Sequence, residues 1–76
     1  MDNNKFIEKC KDILEEKGVQ RETIFVVWSC KTLQNNKAIL SATLKGAPLF
    51  EITHNGDKNE MYVDTYVKKS NECIKV

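Results

Sequence analysis

The segment Thr23–Leu33 does most to limit what this chain can become. Within it Ile24, Phe25, Val26, Val27 and Trp28 are all apolar, and β-branched and aromatic residues favour extended backbone. Alternation places Ile24, Val26, Trp28 and Cys30 on one side of a strand, and Phe25, Val27, Ser29, Lys31 and Leu33 on the other. A strand apolar on both sides is buried on both sides, or has one side in a partner. The chain has 76 residues, enough for one domain, residues 1–76. A domain this small buries a limited share of its surface and has little material for covering two faces of a sheet. Surplus apolar strand surface is therefore the main functional clue, because exposed patches mark partner sites.

The rest of the chain supplies the other elements. Phe6, Ile7, Cys10, Ile13 and Leu14 form one apolar stripe at helical spacing. Asp2, Asn3 or Asn4 can cap its start, and Lys17-Gly18 can close it. Gln34, Asn35 and Asn36 predict a turn, since Asn tolerates positive φ. Lys37–Leu44 reads as a second strand, with Ala38, Leu40, Ala42 and Leu44 on one side. After a turn at Lys45-Gly46-Ala47-Pro48, Leu49–His54 reads as a third strand with Phe50 and Ile52 inward. Asn55-Gly56 predicts a two-residue hairpin turn with positive φ at both positions, followed by a fourth strand around Lys58–Val63.

The tail supports two readings. Tyr62, Tyr66, Cys73 and Ile74, with Val63 and Val67, fit helical spacing at least as well as alternation. The preferred reading is a short C-terminal helix from Asp64 to Glu72, capped by Asp64. Strand continuation through Val67 is the alternative. The expected fold class is α+β: an N-terminal helix, a three- to four-stranded antiparallel meander and a short C-terminal helix, with helix packed on one sheet face.

Charge and chemistry narrow the function. Lys and Arg total 12 against 11 Asp and Glu, a formal net charge of +1, so bulk electrostatics does not drive nucleic-acid binding. Arg21 is the only arginine, which leaves little capacity for bidentate grip on phosphate or carboxylate. The apolar run Ile24–Trp28 is far shorter than the ~20 residues of a membrane span, and the polar start MDNNKF does not read as a signal peptide. The expected location is therefore cytoplasmic. Cys10, Cys30 and Cys73 are odd in number and widely spaced, which predicts three reduced thiols. With no staple, a homodimer is expected to help such a small chain.

Catalysis needs a positioned nucleophile, base or metal. The single histidine, His54, should sit solvated at a hairpin end, two strands from Cys30. His54 and Asp57 are too few for a metal site. Gly18, Gly46 and Gly56 stand alone, so no phosphate-cradling loop is present. The expectation is no enzyme, no metal and no cofactor. Two candidate binding clusters remain. Trp28, Lys31, Gln34 and Asn35 on one strand and its turn can stack on and hydrogen-bond a base, unless Trp28 is core and the rest solvated. Tyr62 and Tyr66, with Asp64, can form a polar-aromatic interface, or pack their rings on the sheet edge. Lys31, Lys37 and Lys45 form a short lysine stripe.

Two strings carry a resemblance. VVWSCKTLQNNKA (Val26–Ala38) and EITHNGDKNEMYVDTYVKK (Glu51–Lys69) resemble a family of small phage and prophage proteins of Gram-positive bacteria. That family shows a W-S-C-K-T-L-Q-N stretch, a Y-N-G-D-K turn and a tyrosine-containing tail, and it has no established activity. The likeness covers about Phe25 to Ile74. This chain departs from it with His54 before Asn-Gly, a compact 45–48 turn and a shorter leading helix. The resemblance implies an accessory or early-expressed factor in the bacterial host cytoplasm. Such factors bind and block host machines, nucleic-acid-targeting defence included. The leading expectation is thus a module that inhibits or modulates a host protein complex, in its narrowest form an anti-CRISPR-like one. The alternative is a homo-oligomeric protein that sequesters a nucleotide signal, and the second alternative is single-stranded nucleic-acid binding.

Overall fold

The computed structural model describes all 76 residues. Helix α1 spans Asn3–Glu16, where the apolar stripe predicts it. Asp2 is the cap, its carboxylate accepting the Lys5 N–H at 2.9 Å and satisfying one donor that a first turn leaves open. At the other end Gly18 takes φ +95°. Its N–H reaches the Glu15 carbonyl at 2.9 Å, and the Val19 N–H reaches the Leu14 carbonyl at 3.1 Å. This is the Schellman arrangement, in which the residue after the glycine returns to the apolar side, and Val19 does pack against the core.

A 3-10 turn, Arg21–Thr23, leads from the helix into the sheet. The Arg21 guanidinium meets Glu8, Asp12 and Glu15, three carboxylates on successive turns of the helix surface. They raise its pKa above the ordinary arginine value, Glu15 contributing most, then Asp12 and Glu8. The mixed charged face of α1, read from sequence as merely solvated, therefore holds this turn in place.

The sheet is a meander of four antiparallel strands, β1 (Ile24–Thr32), β2 (Asn35–Ala42), β3 (Leu49–Asn55) and β4 (Glu60–Tyr66), in the order β1-β2-β3-β4. Phe6, Cys10 and Leu14 of α1 pack against Ile24, Ala38, Leu40, Phe50 and Ile52. Ile7, Val19, Met61 and Val63 close the margins of this core. The molecule is a slab of 44 × 30 × 17 Å, one helix and one sheet thick. Ser41, buried opposite Phe25 on the face away from the helix, donates its hydroxyl to the Pro48 carbonyl at 2.9 Å, which ties down the 43–48 connection.

Four expectations need correction. The expected C-terminal helix from Asp64 to Glu72 is absent: β4 continues to Tyr66 and residues 67–76 adopt no regular structure. Asp64 and Tyr66 instead pair with Glu51 and Leu49, so the β3 ladder takes up the backbone groups a helix would have used. The alternative, strand continuation through Val67, overshoots by one residue. The first hairpin turns at Leu33-Gln34, with Thr32 opposite Asn35 and Leu33 at φ +56°, so Asn35 and Asn36 belong to β2.

The second correction of a turn concerns Asn55-Gly56. The β3–β4 loop runs over residues 56–59, and its positive φ falls on Asn59 (+52°), not on Gly56. Asn55 organises this loop by accepting the Asp57 and Lys58 N–H groups at 3.0 and 3.2 Å. Glycine is required at 56 for space, because a Cβ there would lie 2.7 Å from Gln34 Cβ and Cγ and closer still to the Gln34 carbonyl oxygen. Finally, β1 carries a bulge between Val26 and Trp28. The extra residue reverses the alternation downstream, so Trp28 and Cys30 do not share a side with Ile24 and Val26.

Candidate interaction face

The bulge decides which side chains meet on each sheet face. Val26 is opposite Leu40, whose side chain is in the core, whereas Trp28 is opposite Ile39. Trp28, Cys30 and Thr32 therefore join Phe25 on the face away from α1, while Ser29 and Lys31 stay on the helix side. The Asn3 side-chain amide donates to the Ser29 hydroxyl at 3.2 Å, consistent with that assignment.

Cross-strand pairing builds two rows on the face away from the helix. One runs Trp28–Ile39–Glu51–Asp64 and the next Cys30–Lys37–Thr53–Tyr62. Leu49 sits opposite Tyr66 beyond them. No helix or strand packs on this face; among its residues Ser41, opposite Phe25, is buried beside the 43–48 connection. Phe25 is 43% exposed, Trp28 49%, Tyr62 46% and Tyr66 53%, far above what packed aromatic rings show. Charge on it is uneven: Lys37 lies 3.8 Å from Glu51, and Asp64 and Glu60 add two further carboxylates. The Tyr62 hydroxyl donates to Glu60 at 3.2 Å. Loss of solvent, then the Glu60 charge and this bond, raise the Tyr62 pKa above its ordinary value.

At one end of the face lies a shallow groove of about 230 Å³, lined chiefly by Trp28, Cys30, Thr32, Asn35, Lys37 and Thr53. It is smaller than the ~300–1,000 Å³ of usual small-molecule sites, enough for one planar ring with its back on the indole.

The structure separates the first sequence-derived cluster. Trp28 and Asn35 line the groove together. Lys31 lies opposite the buried Asn36 on the helix side, its ammonium donating to the Leu33 carbonyl. Gln34 donates to Asp57 at 2.7 Å, and Asn35 accepts the Gly56 N–H at 2.9 Å. These two amides lock the β1–β2 turn onto the β3–β4 loop. Lys37 and Thr53 take the positions that Lys31 and Gln34 were expected to hold, because register, not chain proximity, brings them beside Trp28. Tyr62 and Tyr66 do share the open face. The lysine stripe dissolves: Lys31 is on the helix side, Lys37 on the open face and Lys45 in the β2–β3 connection.

His54 also differs from its sequence reading as a solvated turn residue. It is buried on the helix side, its Nδ1 3.4 Å from Asn36 Oδ1 and its Nε2 3.2 Å from Asn59 Oδ1. The inward series Phe50, Ile52, His54 at period two is the signal that reveals it. Cys30 lies on the opposite face, so a Cys–His pair cannot form. Burial pushes the Cys10 thiol up to about 12, with a backbone hydrogen bond opposing. Cys30 is half-buried and Cys73 exposed, and all three are free thiols. No three His, Cys, Asp or Glu side chains converge as a metal set, and no helix is long and apolar enough to cross a membrane.

Among known proteins, one family model, described as a family of unknown function (DUF6275), matches residues 3–76. No curated protein and no solved structure matches the chain.

Proposed function

This chain belongs to DUF6275, a family of unknown function, and we propose that it is a non-catalytic binding module of the phage-accessory type that docks a host protein complex on its open sheet face and inhibits or modulates it. The observation that carries this reading is the set Phe25, Trp28, Tyr62 and Tyr66, each about half exposed on the sheet face away from the helix. Aromatic side chains with a polar handle anchor interfaces because they bury large areas yet keep a hydrogen bond. The phage context rests on the resemblance of Val26–Ala38 and Glu51–Lys69, and the bacterial host cytoplasm is the setting that this resemblance implies.

The charge of the face sharpens the partner. Glu51, Glu60 and Asp64 share the face with a single Lys37, so the face as a whole suits a basic surface. Basic surfaces are what nucleic-acid-handling machines offer, and this favours the counter-defence form of the reading. The same charge argues against single-stranded nucleic acid as the ligand. The test is capture from host lysate with immobilised wild type, Trp28→Ala, Tyr66→Ala and, as a control on the outer helix surface, Lys9→Ala. A specific protein retained by wild type and K9A but lost by the two face variants is expected. Recovery that ignores the face variants, or no specific recovery, overturns the proposal.

One observation favours a second reading, sequestration of a nucleotide signal. The groove sets the Trp28 indole beside the Lys37 ammonium and the Thr53 and Asn35 side chains, which suits a stacked base with a nearby phosphate. A thermal-shift screen against a nucleotide panel decides it, since a ligand of the native state raises apparent stability by mass action. No shift with any nucleotide removes this reading.

A further inference from the structure

β1 ends the sheet, and its outer edge is bare. It is nine residues long, so a row of backbone N–H and C=O groups faces outward with no strand beside it. Natural edges are usually blunted by lysine, proline or inward charges. In β1 the only one of these is Lys31, next to the end of the strand, and Ile24–Cys30 contains none, whereas the opposite edge, β4, carries Glu60 and Asp64. A bulge can also turn an edge away, but here the bulged residue is itself a half-exposed valine, Val27 at 53%.

The exposed side chains of β1 point to opposite faces. Phe25 and Trp28 belong to the open face, and Val26, on the helix side, is also exposed. An object laid on the open face leaves Val26 in water. A strand added to the edge flanks all of them. We propose that this edge is the interface with a second copy of this chain, the two β1 strands pairing antiparallel about Val27 to make one eight-stranded sheet.

A second copy fits for three reasons. Two-fold antiparallel pairing is self-complementary, so one edge serves both partners. The charges agree: Glu22 precedes the segment and Lys31 follows it, so pairing carries Lys31 of one copy towards the partner's Glu22, with no like charges opposed. The chain also has reason to associate, since only 12 of its 76 residues are buried, and small domains commonly gain stability from oligomer contacts. A standard interface takes about 800 Å² from each partner, roughly a seventh of the 5734 Å² surface here. The proposal is independent of the host-partner reading. Tyr62 and Tyr66 lie on β4, three strand spacings or about 14 Å away, and remain free in such a dimer.

The test is size-exclusion chromatography with light scattering, from low-micromolar to sub-millimolar protein. Wild type is expected at twice 8.8 kDa. Val27→Lys, folded by circular dichroism, is expected at the single-chain mass, and Tyr66→Lys is expected to remain dimeric. A wild type of single-chain mass throughout, an open-ended larger species, or a dimer that survives V27K each overturns the proposal. Should V27K not fold, hydrogen exchange of wild type decides instead. The β1 amides must exchange faster on dilution while those of β2 and β3 hold, and concentration-independent β1 exchange overturns the interface.

Discussion

Replacing Gly56 by alanine should cost this protein about 2 kcal/mol. The added Cβ would fall 2.7 Å from Gln34 Cβ and Cγ and closer to the Gln34 carbonyl oxygen, where real Cβ contacts under 3.0 Å are essentially never seen. Side-chain rotation cannot relieve a clash with a backbone carbonyl, so the two loops must part. Overpacking of this kind costs about 1–3 kcal/mol. Parting also strains the Gly56 N–H···Asn35 bond of 2.9 Å and the Gln34···Asp57 bond of 2.7 Å, each an exposed bond at the low end of about 0.5–1.5 kcal/mol. At roughly 0.05–0.15 kcal/mol per residue the whole domain has only about 4–11 kcal/mol. A loss of 2 kcal/mol in a domain of this size lowers Tm by about 8–16 °C. Thermal and urea unfolding followed by Trp28 fluorescence reads the change. Gly56→Asn separates space from conformation: Asn tolerates positive φ, yet the Cβ clash remains, so G56N should be as unstable as G56A. A G56A protein within about 0.5 kcal/mol of wild type, or a G56N clearly more stable than G56A, refutes the reasoning.

Other outcomes follow from the packing and the charges. Leu40→Ala removes a fully buried side chain from the middle of the sheet and should cost about 2–5 kcal/mol, measurable in the same unfolding assay. Arg21→Gln leaves Glu8, Asp12 and Glu15 without their shared cation. Its Tm should fall below wild type at low salt, and the gap should narrow in concentrated salt, where exposed charges are screened. At neutral pH a thiol reagent should label Cys73 quickly and Cys10 only after unfolding, as mass spectrometry of the labelled peptides can show. Burial raises the Cys10 pKa from 9.0 to about 12. Below pH 9 both folded and unfolded states keep the proton; above it the unfolded chain loses it first, so stability falls as pH rises towards 12. Cys10→Ala should show a shallower decline across that window.

The local parts of the fold were legible in the sequence. The stripe Phe6–Leu14, the Asp2 cap and the Lys17-Gly18 ending depend on neighbours three to five residues away, and the helix forms where they indicate. The inward series Ala38–Leu40–Ala42 and Phe50–Ile52 likewise read directly, since one face of a strand meets one core. What failed was non-local. Nothing within Ile24–Thr32 signals that Val27 is an extra residue; the bulge exists because β2 sets the register. That shift put Trp28 on the open face, where Lys37 and Thr53 lie beside it, while Lys31, three residues on, falls on the opposite side in either register. Gly56 was identified as a turn residue for its conformational freedom, but its role is to admit Gln34 from another hairpin. Helical spacing and Asp64 as a cap are not enough to form the C-terminal helix, because Val67 and Ile74 have no core surface left to meet.

Val27 sets the phase of everything after it in its strand. The indole looks outward because this one residue stands outside the ladder. Deleting it would leave every later pairing as it is, with Trp28 directly after Val26 and still opposite Ile39. Were the valine kept and forced into the ladder instead, Trp28, Cys30 and Thr32 would swing under the helix, and Ser29 and Lys31 would come out in their place. A natural relative lacking one residue at this point would therefore keep the same aromatic ridge, on a straighter margin.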